Sequence, residues 1–118
     1  MDLILQPVGS NMCGQACIAM IAGISIEEAV KAVGHRHSTK TREVVRALKD
    51  LGVECDKRLR RFSKKRQLPA FAIVKIRFNG WQMGHWVVWK EGKIYDPAWY
   101  EAVDTRRWTS FLRIGQGQ

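Results

Sequence analysis

Two short segments of the chain carry the residue types of a thiol-based catalytic pair. The segment Asn11-Met12-Cys13-Gly14-Gln15-Ala16-Cys17 places a cysteine at the predicted start of a helix. The segment Gly84-His85-Trp86-Val87-Val88-Trp89 places a histidine at the predicted start of a strand. A thiol and an imidazole that folding brings together can serve as nucleophile and general base.

Cys13 is the better candidate for the nucleophile of the two cysteines in the first segment. If Asn11 or Ser10 caps the helix, Cys13 lies in its first turn, where unpaired N–H groups and the helix dipole favour a thiolate. We expect the neighbouring Gly14 to leave room for a substrate, and Cys17, one turn further on, to be a packed thiol. Taken alone, Cys13 is more often an ordinary buried cysteine.

The hairpin that follows His85 predicts a carboxylate partner for the imidazole. A two-residue or four-residue turn centred on Glu91-Gly92 places Asp96 on the same face of the sheet as His85 and diagonal to it, within side-chain reach. Such an aspartate would orient the ring and favour the imidazolium. A turn with an odd number of residues would move Asp96 to the opposite face.

Other residues are weaker candidates for the same site. Gln6 lies seven residues before Cys13, where its amide could donate to an oxyanion beside the Cys13 N–H, although a surface glutamine is the usual explanation. Trp81 and Trp99 lie in predicted loops that flank the site, where they either line a cleft or simply pack. With Gly14 and Gly84 they form the candidate set for substrate binding.

The elements that must position these residues change in type along the chain. Helices come first and strands follow, an order typical of an α+β fold with one domain over residues 1–118. The basic stretch from Arg60 to Gln67 is predicted as a loop or ragged edge. The predicted helices cover 11–23, 25–34, 41–51 and 105–112, and the predicted strands cover 53–59, 70–78, 85–90 and 93–96.

Together these motifs resemble the bacteriocin-processing cysteine peptidases, which are papain-like domains known from peptide-exporting transporters. The resemblance implies a papain-like fold, with helices packed on an antiparallel sheet and the nucleophile at the first helix N-terminus. It implies Cys13 as nucleophile, His85 as general acid and base, Asp96 as its orienting group and Gln6 as oxyanion donor. Family members that process export substrates cut after two glycines. The matching pieces are Gln6, Cys13-Gly14-x-Ala16-Cys17, Leu68-Pro69-Ala70, Gly84-His85-Trp86-Val87-Val88 and Tyr95-Asp96-Pro97-Ala98.

Composition is compatible with this hypothesis. The N-terminus lacks the basic and apolar regions of a secretory signal, and the longest apolar stretch is too short to span a bilayer. Three cysteines do not form a closed disulfide set, so we expect a cytoplasmic protein with reactive thiols. The proposed chemistry needs no cofactor and no metal. The oligomeric state does not follow from the sequence.

The net positive charge of the chain suggests binding of an acidic partner. The chain carries a formal net charge of +9, and seven of the ten residues from Lys57 to Arg66 are basic. An acidic protein partner is one interpretation of this run. Nucleic acid is less favoured, because only Leu59 and Phe62 are interleaved as possible stacking groups.

Three other hypotheses compete with peptide hydrolysis. A non-catalytic binding module could retain the peptidase fold, and an isopeptidase or acyl transferase would use the same residues. A zinc site built from Cys13, Cys17, His35 and His37 has the wrong cysteine spacing for a structural site, so the two histidines are predicted as solvated loop residues.

Overall fold

Three helices fill the first half of the chain. They are α1 at Cys13–Ala22, α2 at Ile26–Val33 and α3 at Thr41–Asp50, in a computed structural model that describes residues 1–78, 84–98 and 106–115. The predicted capping box is present at Ser25, whose hydroxyl accepts from the Glu28 N–H at 3.1 Å. No helix in these described ranges is long and apolar enough to cross a membrane.

The N-cap of the first helix lies one residue after the predicted Asn11. Met12 is the N-cap residue, and Cys13 is the first helical residue. Every side chain from Cys13 to Met20 is buried, so α1 lies inside the molecule rather than on its surface. The helix ends at Gly23, whose φ of 70° is the left-handed conformation that glycine adopts at low cost.

The described residues in the second half of the chain form one antiparallel sheet of five strands. Its spatial order is β1-β5-β2-β3-β4, so β2 lies at the centre and β4 at one edge. This arrangement confirms the α+β prediction. The strands are β1 at Arg60–Arg61, β2 at Phe71–Phe78, β3 at Gly84–Lys90, β4 at Lys93–Tyr95 and β5 at Arg106–Arg113.

The predicted helix over 105–112 is wrong, because residues Arg106–Arg113 form β5. This strand pairs with β2 along its length and with β1 at its C-terminal half. Ser110, Phe111 and Leu112 are all buried in succession. A strand covered on both faces loses the alternation that identifies a strand in sequence, which explains the error.

The predicted strand over 53–59 is also wrong. Only Cys55 bridges to Ile114 in that stretch, and regular pairing starts at Arg60–Arg61, where a loop or ragged edge was predicted. The basic stretch continues through a short 3-10 turn at Lys65–Gln67. The sheet therefore has a frayed basic edge, consistent with the tendency of charged residues to occupy strand edges.

The core has two parts, one on each face of the sheet. On one face, Trp86 and Val88 of β3 pack with Ile18 of α1 and Leu48 of α3. On the other face, Val74, Ile76, Val87 and Phe111 form a smaller cluster, covered by partly buried residues that include Phe62 and Trp108. Because Trp86 belongs to the helix-side cluster, α1 is held directly against β3, the strand that carries His85.

The β3–β4 hairpin has the predicted register. Trp89 faces Ile94 and Val88 faces Tyr95, around a two-residue turn. Glu91 and Gly92 have φ values of 51° and 79°, the two positive angles typical of a type I′ turn. This turn matches strand twist and sets the register, so Asp96 follows β4 at the position opposite Val87, diagonal to His85.

We expect Glu91→Asn to stabilise the protein. Asparagine tolerates a positive φ better than glutamate, so the free energy of unfolding should rise by about 0.5–1 kcal/mol. Urea unfolding followed by circular dichroism measures this change. Gly92→Ala, which places a Cβ at a φ of 79°, should act in the opposite direction. Equal effects of the two variants would contradict the type I′ assignment.

Candidate active site

His85 and Asp96 form a short hydrogen bond at the start of the hairpin. His85 Nε2 lies 2.7 Å from Asp96 Oδ1, and the imidazole is 4% exposed. The same carboxylate oxygen accepts the backbone N–H of Ala98 at 2.9 Å. This second hydrogen bond spans Pro97 and holds the Asp96 carboxylate in place. The orientation of the carboxylate toward the ring is therefore fixed.

Cys13 contacts the same imidazole. Burial by itself lowers the pKa of His85, but the hydrogen bond to Asp96 and a further hydrogen bond with Cys13 outweigh burial and raise the pKa to about 9. Because Nε2 is held by Asp96, we assign the thiol contact to Nδ1. The three side chains therefore form one chain, thiol to imidazole to carboxylate, as the sequence predicts.

The N-terminus of α1 is left without a side-chain cap at this point. The Met12 side chain makes no capping hydrogen bond, whereas Ser25 caps α2. The first i to i−4 bond of the helix runs from the Ala16 N–H to the Met12 carbonyl at 3.0 Å. The N–H groups of Cys13, Gly14 and Gln15 therefore have no intrahelical acceptor, which is the arrangement that receives anions at helix starts.

Gln6 lies in the loop that leads into the helix. Its side-chain Nε2 donates to the Ser10 carbonyl at 2.7 Å, and its backbone N–H donates to the Pro97 carbonyl at 2.9 Å. The residue is 5% exposed. Gln6 is thus tied both to the loop before Cys13 and to the residue after Asp96. An amide nitrogen has two hydrogens, so one remains for another acceptor.

The other two cysteines have environments that favour the neutral thiol. Burial, with smaller effects of Cys13 and Asp96, raises the pKa of Cys17 well above its usual range. Burial and the nearby Asp56 raise the pKa of Cys55. Cys17 is fully buried, in agreement with its predicted role as a packed thiol. Neither thiol is suited to act as a nucleophile at neutral pH.

The two glycines among the candidate substrate-binding residues lie against other side chains. A Cβ at Gly14 would clash with Thr39 Oγ1, so the space beside Cys13 that we expected for a substrate is taken by Thr39. A Cβ at Gly84 would lie 2.8 Å from Cε of Lys75, so that glycine accommodates the lysine stem. Trp81 and Trp99 lie outside the described residues.

Two side chains whose hydrogen bonds sequence reasoning missed brace the site. Gln15 is fully buried, and its Nε2 donates to the carbonyls of His35 at 3.0 Å and His37 at 2.9 Å. Trp86 Nε1 donates to the Thr39 carbonyl at 3.5 Å. The loop between α2 and α3 is therefore held by the neighbours of both Cys13 and His85. A glutamine within an otherwise apolar helix is the signal that could have revealed this brace.

His35 is not the simple solvated residue that we predicted. Its Nε2 lies 2.7 Å from Glu43 Oε2, and its Nδ1 accepts the backbone N–H of His37 at 3.1 Å. Glu43 also accepts the N–H of Lys40 at 2.8 Å, and these contacts lower its pKa, the backbone hydrogen bond most. The His35 side chain therefore orders the loop between α2 and α3.

The raised pKa of His85 predicts a pH-dependent stability. The folded pKa is about 9, against 6.5 for an ordinary histidine, so this stabilisation is complete below pH 6.5 and is lost as pH rises through 9. The free energy of unfolding should fall by up to about 3 kcal/mol over that window, at about 1.4 kcal/mol per pKa unit.

Urea titrations between pH 6 and 10 measure this loss. His85→Gln should flatten the profile, while His37→Gln, which removes an exposed imidazole, should leave it unchanged. A wild-type profile that matches that of His85→Gln would contradict the coupling of His85 to Asp96.

The brace formed by Gln15 predicts a large effect on stability. Gln15→Leu leaves two carbonyls without their donor and should lower the free energy of unfolding by about 2–4 kcal/mol. Gln67→Leu is a matched control, because Gln67 accepts backbone N–H groups of Ser63 at 2.9 Å and Lys64 at 3.0 Å in an exposed turn. The control should cost less than about 1 kcal/mol. Equal losses would show that the brace is unimportant.

Comparison with known proteins assigns no family to the chain. No family model matches it, and no curated protein matches its sequence. Within the site itself, Cys13, His85 and Asp96 are joined in one hydrogen-bonded chain.

Proposed function

We propose that the protein is a cysteine peptidase with a papain-like fold, in which Cys13 is the nucleophile and His85 the general acid and base. The observation that carries this proposal is the thiol–imidazole–carboxylate chain, with His85 hydrogen-bonded both to Cys13 and to Asp96. An imidazolium beside a thiol favours the thiolate, which is the reactive form. Asp96 keeps the ring in place and stabilises its positive charge.

The first half of the reaction forms an acyl-enzyme. The Cys13 sulfur attacks the carbonyl carbon of the scissile peptide, and the oxygen of that carbonyl takes the negative charge. The Cys13 N–H at the uncapped helix start and the Gln6 amide donate to this oxygen. As the tetrahedral intermediate collapses, the His85 imidazolium gives its proton to the leaving nitrogen, the C–N bond breaks and the amine departs.

The second half of the reaction regenerates the thiol. Neutral His85 takes a proton from water, the hydroxide attacks the thioester carbon, and the C–S bond breaks with return of the Cys13 thiolate. An amine in place of water would give acyl transfer through the same intermediate. The hydrogen bond between Asp96 and the ring serves both steps, because the imidazole must alternate between its charged and neutral forms without rotating.

The substrate that we propose is a polypeptide cut after two glycines. This assignment depends on the resemblance of the Cys13, His85 and Asp96 motifs to the bacteriocin-processing peptidases. A non-catalytic binding module would not need an imidazole whose pKa is raised to about 9 by its hydrogen bonds to Asp96 and Cys13. Perturbed titrating groups of this kind are concentrated at functional sites, which favours the enzyme over the module.

Thiol labelling tests the ion pair directly. We expect iodoacetamide at about pH 6, below the range in which ordinary thiols react, to modify Cys13 faster than Cys55. Cys13 is only 7% exposed, whereas Cys55 is partly exposed, so faster labelling of Cys13 would reflect reactivity rather than access. Mass spectrometry of tryptic peptides measures both rates.

Two histidine variants serve as probe and control for this labelling. His85→Ala should abolish the preference for Cys13, and His37→Ala should leave it intact. Labelling of Cys13 no faster than that of Cys55, or an unchanged rate in His85→Ala, would sink the catalytic proposal.

Peptide cleavage tests the reaction itself. A peptide with an internal Gly-Gly should be cut by the wild type and not by Cys13→Ala, and its Ala-Ala counterpart should resist both. Asp96→Asn should lower kcat by about a hundredfold or more, the scale of a general acid–base contribution. Product masses separate hydrolysis from transfer to an added amine. Cleavage that persists in Cys13→Ala would assign the activity to another group.

A further inference from the structure

A basic groove lies between strands β1, β2 and β5. It has a volume of about 530 Å³ and is lined by the charged side chains of Arg61, Lys75 and Arg77, together with Phe62 and Trp108. Arg61 comes from the frayed edge of the sheet, while Lys75 and Arg77 come from the central strand. The groove therefore gathers positive charge from two separate parts of the chain.

This charge is not neutralised within the described part of the molecule. Among the described residues that line the groove none is acidic, and no described carboxylate forms an ion pair with Arg61, Lys75 or Arg77. Arg60 differs, since its guanidinium lies 3.2 Å from Asp56. Burial, and next the neighbouring Arg77, lower the pKa of Lys75. Like charges held together in a concave site attract an anionic ligand.

The aromatic residues of the groove are not arranged to stack on bases. The Lys65 ammonium lies 4.5 Å from the centroid of the Trp108 ring and covers it, and Trp89 meets the same ring edge-on at 6.0 Å. Phe62 is packed against Phe111 at a ring distance of 5.6 Å. Binding of single-stranded nucleic acid depends on open aromatic faces, whereas Lys65 covers Trp108 and Phe62 packs against the smaller core cluster.

We propose that this groove binds an acidic stretch of a polypeptide, with carboxylates held by Arg61 and Arg77 and additional attraction from Lys75. A guanidinium pairs with a carboxylate through two parallel hydrogen bonds, which a groove rimmed by two arginines can use twice. The basic run from Lys57 to Arg66 contributes Arg61 to the groove, and its other cations would help to steer an acidic chain toward the protein.

The groove and the candidate active site use different faces of the sheet. Arg77 of β2 faces Gly84 of β3 and Lys75 faces Trp86, whereas His85 faces Ile76. Because side chains alternate along a strand, Lys75 and Arg77 lie on the face opposite His85. The binding itself does not rest on the proposed peptidase function, because none of the groove residues takes part in that chemistry.

Fluorescence anisotropy with a fluorescein-labelled octaglutamate peptide tests the proposal. The protein is the full chain carrying Cys13→Ser, so that cleavage cannot interfere and a failure of the peptidase proposal leaves the result readable. The combined Arg61→Gln and Arg77→Gln variant should bind at least about tenfold more weakly, since it loses two charge-assisted contacts.

The control is the combined Lys31→Gln and Arg42→Gln variant, which removes the same charge from exposed helical positions. It should change the dissociation constant less than about twofold at 0.15 M salt. Combined Arg61→Lys and Arg77→Lys substitution keeps the charge and should recover only part of the affinity. Thermal unfolding of each variant separates loss of binding from loss of fold.

Three outcomes would overturn the proposal. The first is no measurable binding of octaglutamate at low salt. The second is equal weakening in the groove variant and in the helix control, which would indicate non-specific attraction by net charge. The third is tighter binding of an eight-nucleotide oligothymidylate that depends on Arg61 and Arg77, which would assign the groove to nucleic acid.

Discussion

The hydrogen bond between His85 and Asp96 is the interaction on which the rest of the candidate site depends. An imidazole that is almost fully buried would normally lose its charge, because burial penalises the protonated form. The carboxylate at 2.7 Å reverses that preference and raises the pKa of His85 to about 9. A charged ring can then be kept beside the Cys13 thiol inside the protein.

This bond constrains the sheet that surrounds it. Asp96 can reach His85 only if β3 and β4 keep their register, and the two-residue turn at Glu91-Gly92 sets that register. A one-residue slip would transfer Asp96 to the other face and leave a buried imidazole without a counterion. The geometry of the turn therefore determines whether the buried imidazole has a counterion.

A second constraint joins the helix that carries Cys13 to the strand that carries His85. The loop between α2 and α3 receives hydrogen bonds from Gln15, two residues after Cys13, and from Trp86, next to His85. Thr39 of the same loop fills the space above Gly14. The relative position of thiol and imidazole is thus set by buried polar contacts, which have stricter geometry than apolar packing.

The same sheet contributes residues to the candidate active site and to the basic groove. Strand β3 carries His85, whereas the cations of the groove come from the edge strand β1 and the central strand β2. Arg61 occupies an exposed position on the edge strand β1, where charge also protects the edge against pairing with other chains. The two sites share no side chains, so they can be altered independently.

The sequence by itself determined the elements whose signals are local. The capping box at Ser25, the glycine stops and the Glu91-Gly92 turn depend on a few neighbouring residues, and the turn was sufficient to bring Asp96 to His85. The tertiary structure decided the rest. Residues Arg106–Arg113 became a strand because β2 offered an unpaired edge between two packed faces, where alternation disappears. Gly14 accommodates Thr39, and Gln15 donates to loop carbonyls about twenty residues away, because both contacts arise only when distant segments are packed together.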